Sequence, residues 1–216
     1  MPVSASAGTV PSSDEHLWVA IRSINDGQNH CGLAYRRQGD EIRLLHLAFH
    51  FDLRDEALDA PYRRVPCRLD ETNQLVVAAA AINMAGIEPR IPYGFNDEGI
   101  VFDPDTGALL EAPAGRGLTC ATFVTAFLNH LGFQLIDRDT WPKRAIDAIW
   151  REQMIEAVEH HSGDADHAGA LRSNPFAERI RPEEVAGASV VDFSEWPVEF
   201  GRAHEIAEEI IAELAA

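Results

Sequence analysis

Three thiols, Cys31, Cys67 and Cys120, and nine histidines are the residues of this chain best equipped for nucleophilic chemistry. A free thiol with a pKa near 8.5 is only about 3% thiolate at pH 7, so a cysteine nucleophile needs an activator. Cys120 has one candidate in its own element. In GLTCATFVTAFLNHLG, residues 117–132, the apolar positions Cys120, Phe123, Val124, Phe127, Leu128 and Leu131 recur at steps of three and four. That is one stripe of an amphipathic helix. Thr119 suits the N-cap and Gly132 the C-terminal stop. Cys120 then lies in the first turn on the inward face, where unpaired N–H groups and the positive end of the helix dipole favour a thiolate. The plain alternative is that it is a small core residue.

A base must come from elsewhere. His130 shares the helix but lies about 15 Å along its axis, too far to reach the thiol. His30 opens the strand-like HCGLAYRR directly after the turn NDGQN. His46 and His50 fall in IRLLHLAFHF, where alternation puts Ile42, Leu44, His46, Ala48 and His50 on one face. His16, His160, His161, His167 and His204 lie near the N-terminus or in polar stretches of the last third. On a strand His46 and His50 stand roughly 13 Å apart, so they do not share a metal ion. HHSGDADH, residues 160–167, reads as a solvated loop, and Asp103-Pro-Asp105-Thr-Gly107 as a turn lacking the spacing of a calcium loop. No metal is expected. With no Walker loop and no G-x-G-x-x-G after a strand, no cofactor is expected either.

The elements that must position these groups follow from pattern. HLWVAIRSI, HCGLAYRR and IRLLHLAFHF predict three strands of an antiparallel meander. A charged linker with Pro61 and Pro66 leads to the helix ETNQLVVAAAAINMAG, closed by Gly86. A loop containing IPYGF, a short strand IVFD and a turn-rich stretch precede the Cys120 helix, and FQLID suggests one more strand. Beyond Asp137 the chain turns helical: TWPKRAIDAIWREQMIEAVEHH with Ile146, Ile149, Trp150 and Ile155 as its apolar face, a polar loop, RPEEV, and GRAHEIAEEIIAELAA. The class is α+β. The expected division is a disordered leader at 1–15, a core at 16–137 and a helical C-terminal extension at 138–216 packed on it.

Composition narrows the partners. A formal charge of −17 argues against nucleic acid and anionic membrane surfaces. No apolar run approaches the roughly 20 residues of a membrane span. The leader MPVSASAGTVPSSDEH has no basic or apolar region of a signal peptide. An odd cysteine count without framework spacing suits reduced thiols in a cytoplasm. Oligomeric state is not legible.

NHCGLAYRRQGDEIRLLH, IPYGF and GLTCATFVTAFLNHLG, in that order, resemble the circularly permuted papain-like enzymes of the NlpC superfamily. That group includes the YaeF/YiiX-type amidases and the lecithin:retinol acyltransferase-like proteins. The likeness covers roughly residues 17–137. It implies a papain-like antiparallel sheet packed on the cysteine helix, with Cys120 as nucleophile, His30 as base and His46 as the third polar residue, His50 being its neighbour in doubt. Tyr93 and Phe95 match the aromatic Tyr-x-Phe segment, which, with His50, makes them substrate-binding candidates. Ala121 and Cys31 depart from the family pattern and leave the substrate open. The implied activity is that of a cysteine peptidase or amidase, a hydrolase or acyl transferase. It would cleave an amide of a small-molecule, peptide or peptidoglycan-like substrate, or an ester, through a thioester. The alternative is a non-catalytic binding protein that retains the fold.

Overall fold

A computed structural model describes residues 3–25, 27–37, 41–174 and 177–216. Its centre is an antiparallel sheet of six strands: β1 (Ala5–Ser6), β2 (Leu17–Asn25), β3 (Gln28–Arg36), β4 (Ile42–Phe49), β5 (Asp52–Ala57) and β6 (Arg63–Pro66), in spatial order β1-β6-β2-β3-β4-β5. The three predicted strands are β2, β3 and β4. The supposed linker contributes two more. Strand β5 is an edge, half-exposed and rich in charge, which is how edges resist further pairing. It therefore carries little of the apolar alternation that reveals a strand.

The leader is also a correction. Strand β1 pairs with β6, Val3 N–H and Ser4 N–H donate to Glu213 at 2.6 and 2.9 Å, and Ser4 Oγ bonds the same carboxylate. From Val3 onward the expected disordered segment is fastened to the far end of the chain, and its first two positions lie outside the described residues.

Helices α1 (Glu71–Ile87), α2 (Cys120–His130), α3 (Ala145–Ala157), α4 (Ala165–Ser173), α5 (Pro182–Ser189) and α6 (Phe200–Leu214) complete the α+β fold, with a small hairpin of β7 (Val101–Phe102) and β8 (Leu109–Glu111). Helix α1 runs through Gly86 and ends with Glu88 in the left-handed region, φ 50°. FQLID forms no strand, only a single bridge from Ile136 to Val198. Helix α4 begins inside the stretch expected to be a polar loop, with Asp164 capping it through His167 N–H.

The main core lies on one face of the sheet. Leu17, Val19, Ile21, Cys31, Leu33, Leu45 and Leu47 meet Phe123, Val124, Phe127 and Leu128 of α2, together with Val185, Ala186 and Ala188 of α5 and Ile206 and Ile210 of α6. The C-terminal helices therefore share the sheet's core. The opposite face carries a thinner layer of Trp18, Ala20, Ala34, Leu44 and Tyr62.

Helix α3 keeps half of its predicted face: Ile155 is buried and Trp150 packs beside it, but the other half is displaced. Ile146 and Ile149 are both 60% exposed, while Asp147 is fully buried. Asp147 accepts from Arg181 at 2.9 Å and from Arg144 and Arg179 at 3.5 Å, and Arg144 also bonds buried Glu184. Buried carboxylates persist where charges of opposite sign surround them, and here that polar cluster outweighs two isoleucines. A satellite cluster of Tyr93, Phe95, Ile155, Val158, Ala168 and Leu171 joins α3 and α4 to the segment before α2.

Candidate active site

Local sequence delivers Cys120 as expected. Thr119 is the N-cap: its Oγ1 accepts from Thr122 N–H at 3.1 Å while Thr122 Oγ1 accepts from Thr119 N–H at 2.7 Å, a reciprocal capping box. Gly132 follows the helix at φ 87°, a conformation that favours glycine. Cys120 occupies the first helical position and is partly exposed.

The sheet opens to receive it. Pairing between β3 and β4 runs from Arg36↔Ile42 to Leu33↔Leu45 and goes no further, although both strands continue to the cavity that Cys120 lines. The backbone N–H of Cys31 donates to Cys120 Sγ. Cys120 and His30 line that cavity together. Two consecutive residues, which point to opposite faces of β3, both act on the Cys120 thiol: Cys31 from the core face and His30 from the other.

These neighbours hold the Cys120 thiol well below the usual range. The Cys31 side-chain hydrogen bond is the foremost cause, burial opposes it, and the His30 charge and hydrogen bond and the Cys31 N–H add to the lowering. The cost passes to Cys31, whose own thiol is raised by burial and by its hydrogen bond to Cys120. Cys67 lies in the core, not in an exposed linker; burial pushes it up to about 12. It borders an open cleft of about 610 Å³ that has no histidine in its lining.

His30 Nε2 lies 2.7 Å from His46 Nδ1, and His46 Nε2 lies 3.1 Å from Glu56 Oε1. Burial, followed by the charge of His30, pushes the His46 pKa down to about 4 against the pull of Glu56. A neutral His46 has one N–H and one acceptor nitrogen. The Glu56 carboxylate takes the N–H from Nε2, so Nδ1 accepts from His30 Nε2–H. The remaining nitrogen of His30, Nδ1, is then the acceptor facing the thiol. Glu56 thus sets the tautomer of both rings through the network. Gly32 makes the arrangement possible: a Cβ there would stand 2.5 Å from His46 Cβ and 2.8 Å from Leu45 O.

The aromatic segment reaches the site by a close backbone approach. Gly94 N–H donates to Leu118 O at 3.1 Å, Leu118 N–H to Pro92 O at 2.9 Å, and a Cβ on Gly94 would sit 2.7 Å from Gly117 N. Tyr93 lines the cavity beside Cys120, with its hydroxyl 3.6 Å from Met154 Sδ. Phe95 packs behind it in the satellite cluster, edge-on to Trp150 at 5.4 Å between ring centres.

His50 is not part of the thiol's surroundings. The β4–β5 register shifts between Leu47 and Phe49 and the strand ends at Phe49, so the alternation that carries His46 does not extend to His50. Its Nδ1 accepts from Tyr93 N–H at 3.1 Å and its Nε2 pairs with Asp164 Oδ2 at 3.3 Å, while His167 Nε2 bonds Tyr93 O at 2.8 Å. The two imidazoles hold both backbone polar groups of Tyr93.

The cavity itself measures about 190 Å³ and is bounded by His30, Cys120, Thr119, Tyr93, Leu47, Phe49, Trp150, Met154, Ile180 and Arg179, among others. Among the described residues no group of three or more His, Cys, Asp or Glu side chains is placed to hold a metal ion, and no helix is long and apolar enough to cross a membrane. Glu56 and Arg179 were not anticipated from sequence. Glu56 stands two residues beyond Arg54, the cross-strand partner of His46, and so shares its face, a relation that appears only once β5 is paired. Arg179 has no local signal at all. Neither a family model, nor a curated protein, nor a solved structure matches this chain.

Proposed function

We propose that the protein is a cysteine-dependent hydrolase or acyl transferase of the permuted papain-like type, acting on an amide of a peptide or peptidoglycan-like substrate, or on an ester. The observation that carries this reading is the chain Cys120, His30, His46, Glu56, in which each group has a neighbour suited to the next proton or charge. Cys120 Sγ attacks the carbonyl carbon, and its proton resides on His30 Nδ1. The carbonyl oxygen gains negative charge and is met by the Cys120 backbone N–H at the start of α2. Collapse of the tetrahedral intermediate expels the amine or alcohol, which takes the proton from His30. Water or an acceptor then attacks the thioester with His30 again as base. Throughout, His46 accepts from His30 Nε2–H, so the imidazolium is turned toward Glu56 through one neutral ring. Three free thiols fit a reducing compartment such as the cytoplasm.

The test is capture of the acyl-enzyme. The protein is exposed to an activated ester such as p-nitrophenyl acetate and digested for peptide mass mapping. Acylation of the Cys120 peptide, reversed by hydroxylamine and abolished in Cys120→Ser, is expected. An unmodified Cys120, or acylation at the same rate in His30→Ala, would overturn the reading and leave a binding protein with this fold.

A further inference from the structure

The wall of the thiol's cavity holds a cation that the acyl-transfer scheme does not use. Arg179 lines that cavity together with Cys120 and Tyr93, and its side chain is 14% exposed. Its guanidinium stacks over Trp150 at 3.7 Å from the ring centre, which fixes its plane. Among the described residues it makes one hydrogen bond, the long one of 3.5 Å from Nη1 to Asp147 Oδ1. Asp147 is shared: Arg181 holds the same oxygen at 2.9 Å and Arg144 the other. Arg144 has Glu184 besides. The buried Glu183, whose charge also acts on Arg179, accepts from Asn29 Nδ2 at 3.0 Å. Arg179 is therefore held in one plane by Trp150 and has most of its donors unused. Trp150, Met154, Leu47, Phe49 and Ile180 make an apolar part of the wall, and Gln28, Asn29 and Thr119 add polar groups to it. In a chain of formal charge −17, a cation so placed is a local exception to the protein's field.

We propose that Arg179 forms a carboxylate-binding subsite beside Cys120, so that the amide or ester cleaved there carries a carboxylate on a short apolar body. A guanidinium presents paired N–H donors that match a carboxylate, and a largely dry wall strengthens the pairing. This rests on the proposed acyl-transfer reading for the words amide and ester, and on the cavity alone for the carboxylate.

Two alkylating reagents of nearly equal size separate the effects. Iodoacetate carries a carboxylate and iodoacetamide a neutral amide; each forms an S–C bond to Cys120 and releases iodide. The ratio of the iodoacetate rate to the iodoacetamide rate at Cys120 is expected to exceed that of the urea-unfolded chain. Arg179→Gln should reduce the native ratio about tenfold and Arg179→Lys much less. The His30 imidazolium also attracts an anion, but it is common to all three proteins. An unchanged ratio in Arg179→Gln overturns the subsite.

A second measurement needs only the unaltered protein. N-Acetylleucine should slow iodoacetamide labelling of Cys120 and change the fluorescence of Trp150, whereas N-acetylleucinamide at the same concentration should do neither. Equal effects of acid and amide overturn the subsite. A Cys120 inert to both reagents overturns the acyl-transfer reading instead, and the fluorescence titration then decides the carboxylate site by itself.

Discussion

His30 Nε2 and His46 Nδ1 face each other at 2.7 Å, and the next contact outward is Glu56. This order makes His46 an acceptor, not a competing base. His46→Leu removes the acceptor and frees the His30 ring to take the wrong tautomer. Acylation or alkylation of Cys120 should then slow roughly tenfold or more. Glu56→Gln retains an oxygen for His46 Nε2–H and should slow it only a few fold. Identical rates in His46→Leu and the parent protein would show that the pair plays no part in activating the thiol.

The three thiols serve as internal controls. Cys31 and Cys67 are fully buried and shifted upward, whereas Cys120 is partly exposed and shifted downward. Brief iodoacetamide treatment at pH 6 followed by peptide mapping should label Cys120 first, by roughly tenfold or more, because ordinary thiols are under about 1% ionised there. His30→Ala should reduce this preference, and the Cys31 hydrogen bond should retain part of it. First labelling at Cys67 would mean that Cys120 is a core residue.

His46 also predicts an acid-sensitive fold. In the unfolded chain it takes a proton near pH 6.5, but in the folded protein only near about 4. Between those values the unfolded state binds the extra proton, so stability falls as the pH drops from 6.5 toward 4, by up to roughly 3 kcal/mol. His46→Gln removes that contribution. Urea unfolding at pH 7 and pH 4.5 should show the parent losing more stability than the variant; parallel losses would contradict the assignment.

Asp147, in the first turn of α3, is shared by three arginines and is fully buried. Asp147→Ala removes the carboxylate these guanidiniums share and should cost about 3–5 kcal/mol. Ile149→Ala, on the exposed side of the same helix, should cost well under about 1 kcal/mol. Chemical denaturation of both variants decides the matter, and equal costs would restore the isoleucine face as the buried one.

What was legible in the sequence had short-range periodicity behind it. The cysteine helix, its Thr119 cap and the strands around His30 and His46 are local patterns with apolar alternation. Strand β5 carries charge at an edge, so its partner role, and Glu56 with it, depended on pairing with β4. The register shift between Leu47 and Phe49, and the end of β4 at Phe49, break the alternation that would have placed His50 beside His46. Helix α3 was read only in part because the burial of its first turn is electrostatic: Ile146 and Ile149 point to solvent and the Asp147 carboxylate points in, while Ile155 packs as the periodicity predicts. Arg179 gained its place only by tertiary folding, next to a thiol 59 positions earlier in the chain (179 − 120).

The meeting of His30 and Cys31 on one sulfur has an implication for how such a site can be inherited. Two neighbouring letters of the sequence supply the base from one side of the sheet and the thiol donor from the other, so their roles are assigned by strand parity alone. A deletion or insertion of one residue ahead of β3 would keep both side chains yet exchange their sides, turning the imidazole into the apolar core and the thiol away from it. Gly32, wedged against His46, opposes that slip, because any shift brings a side chain into its place. The chemistry can thus tolerate drift in the surrounding residues far better than a change in the spacing of this hairpin.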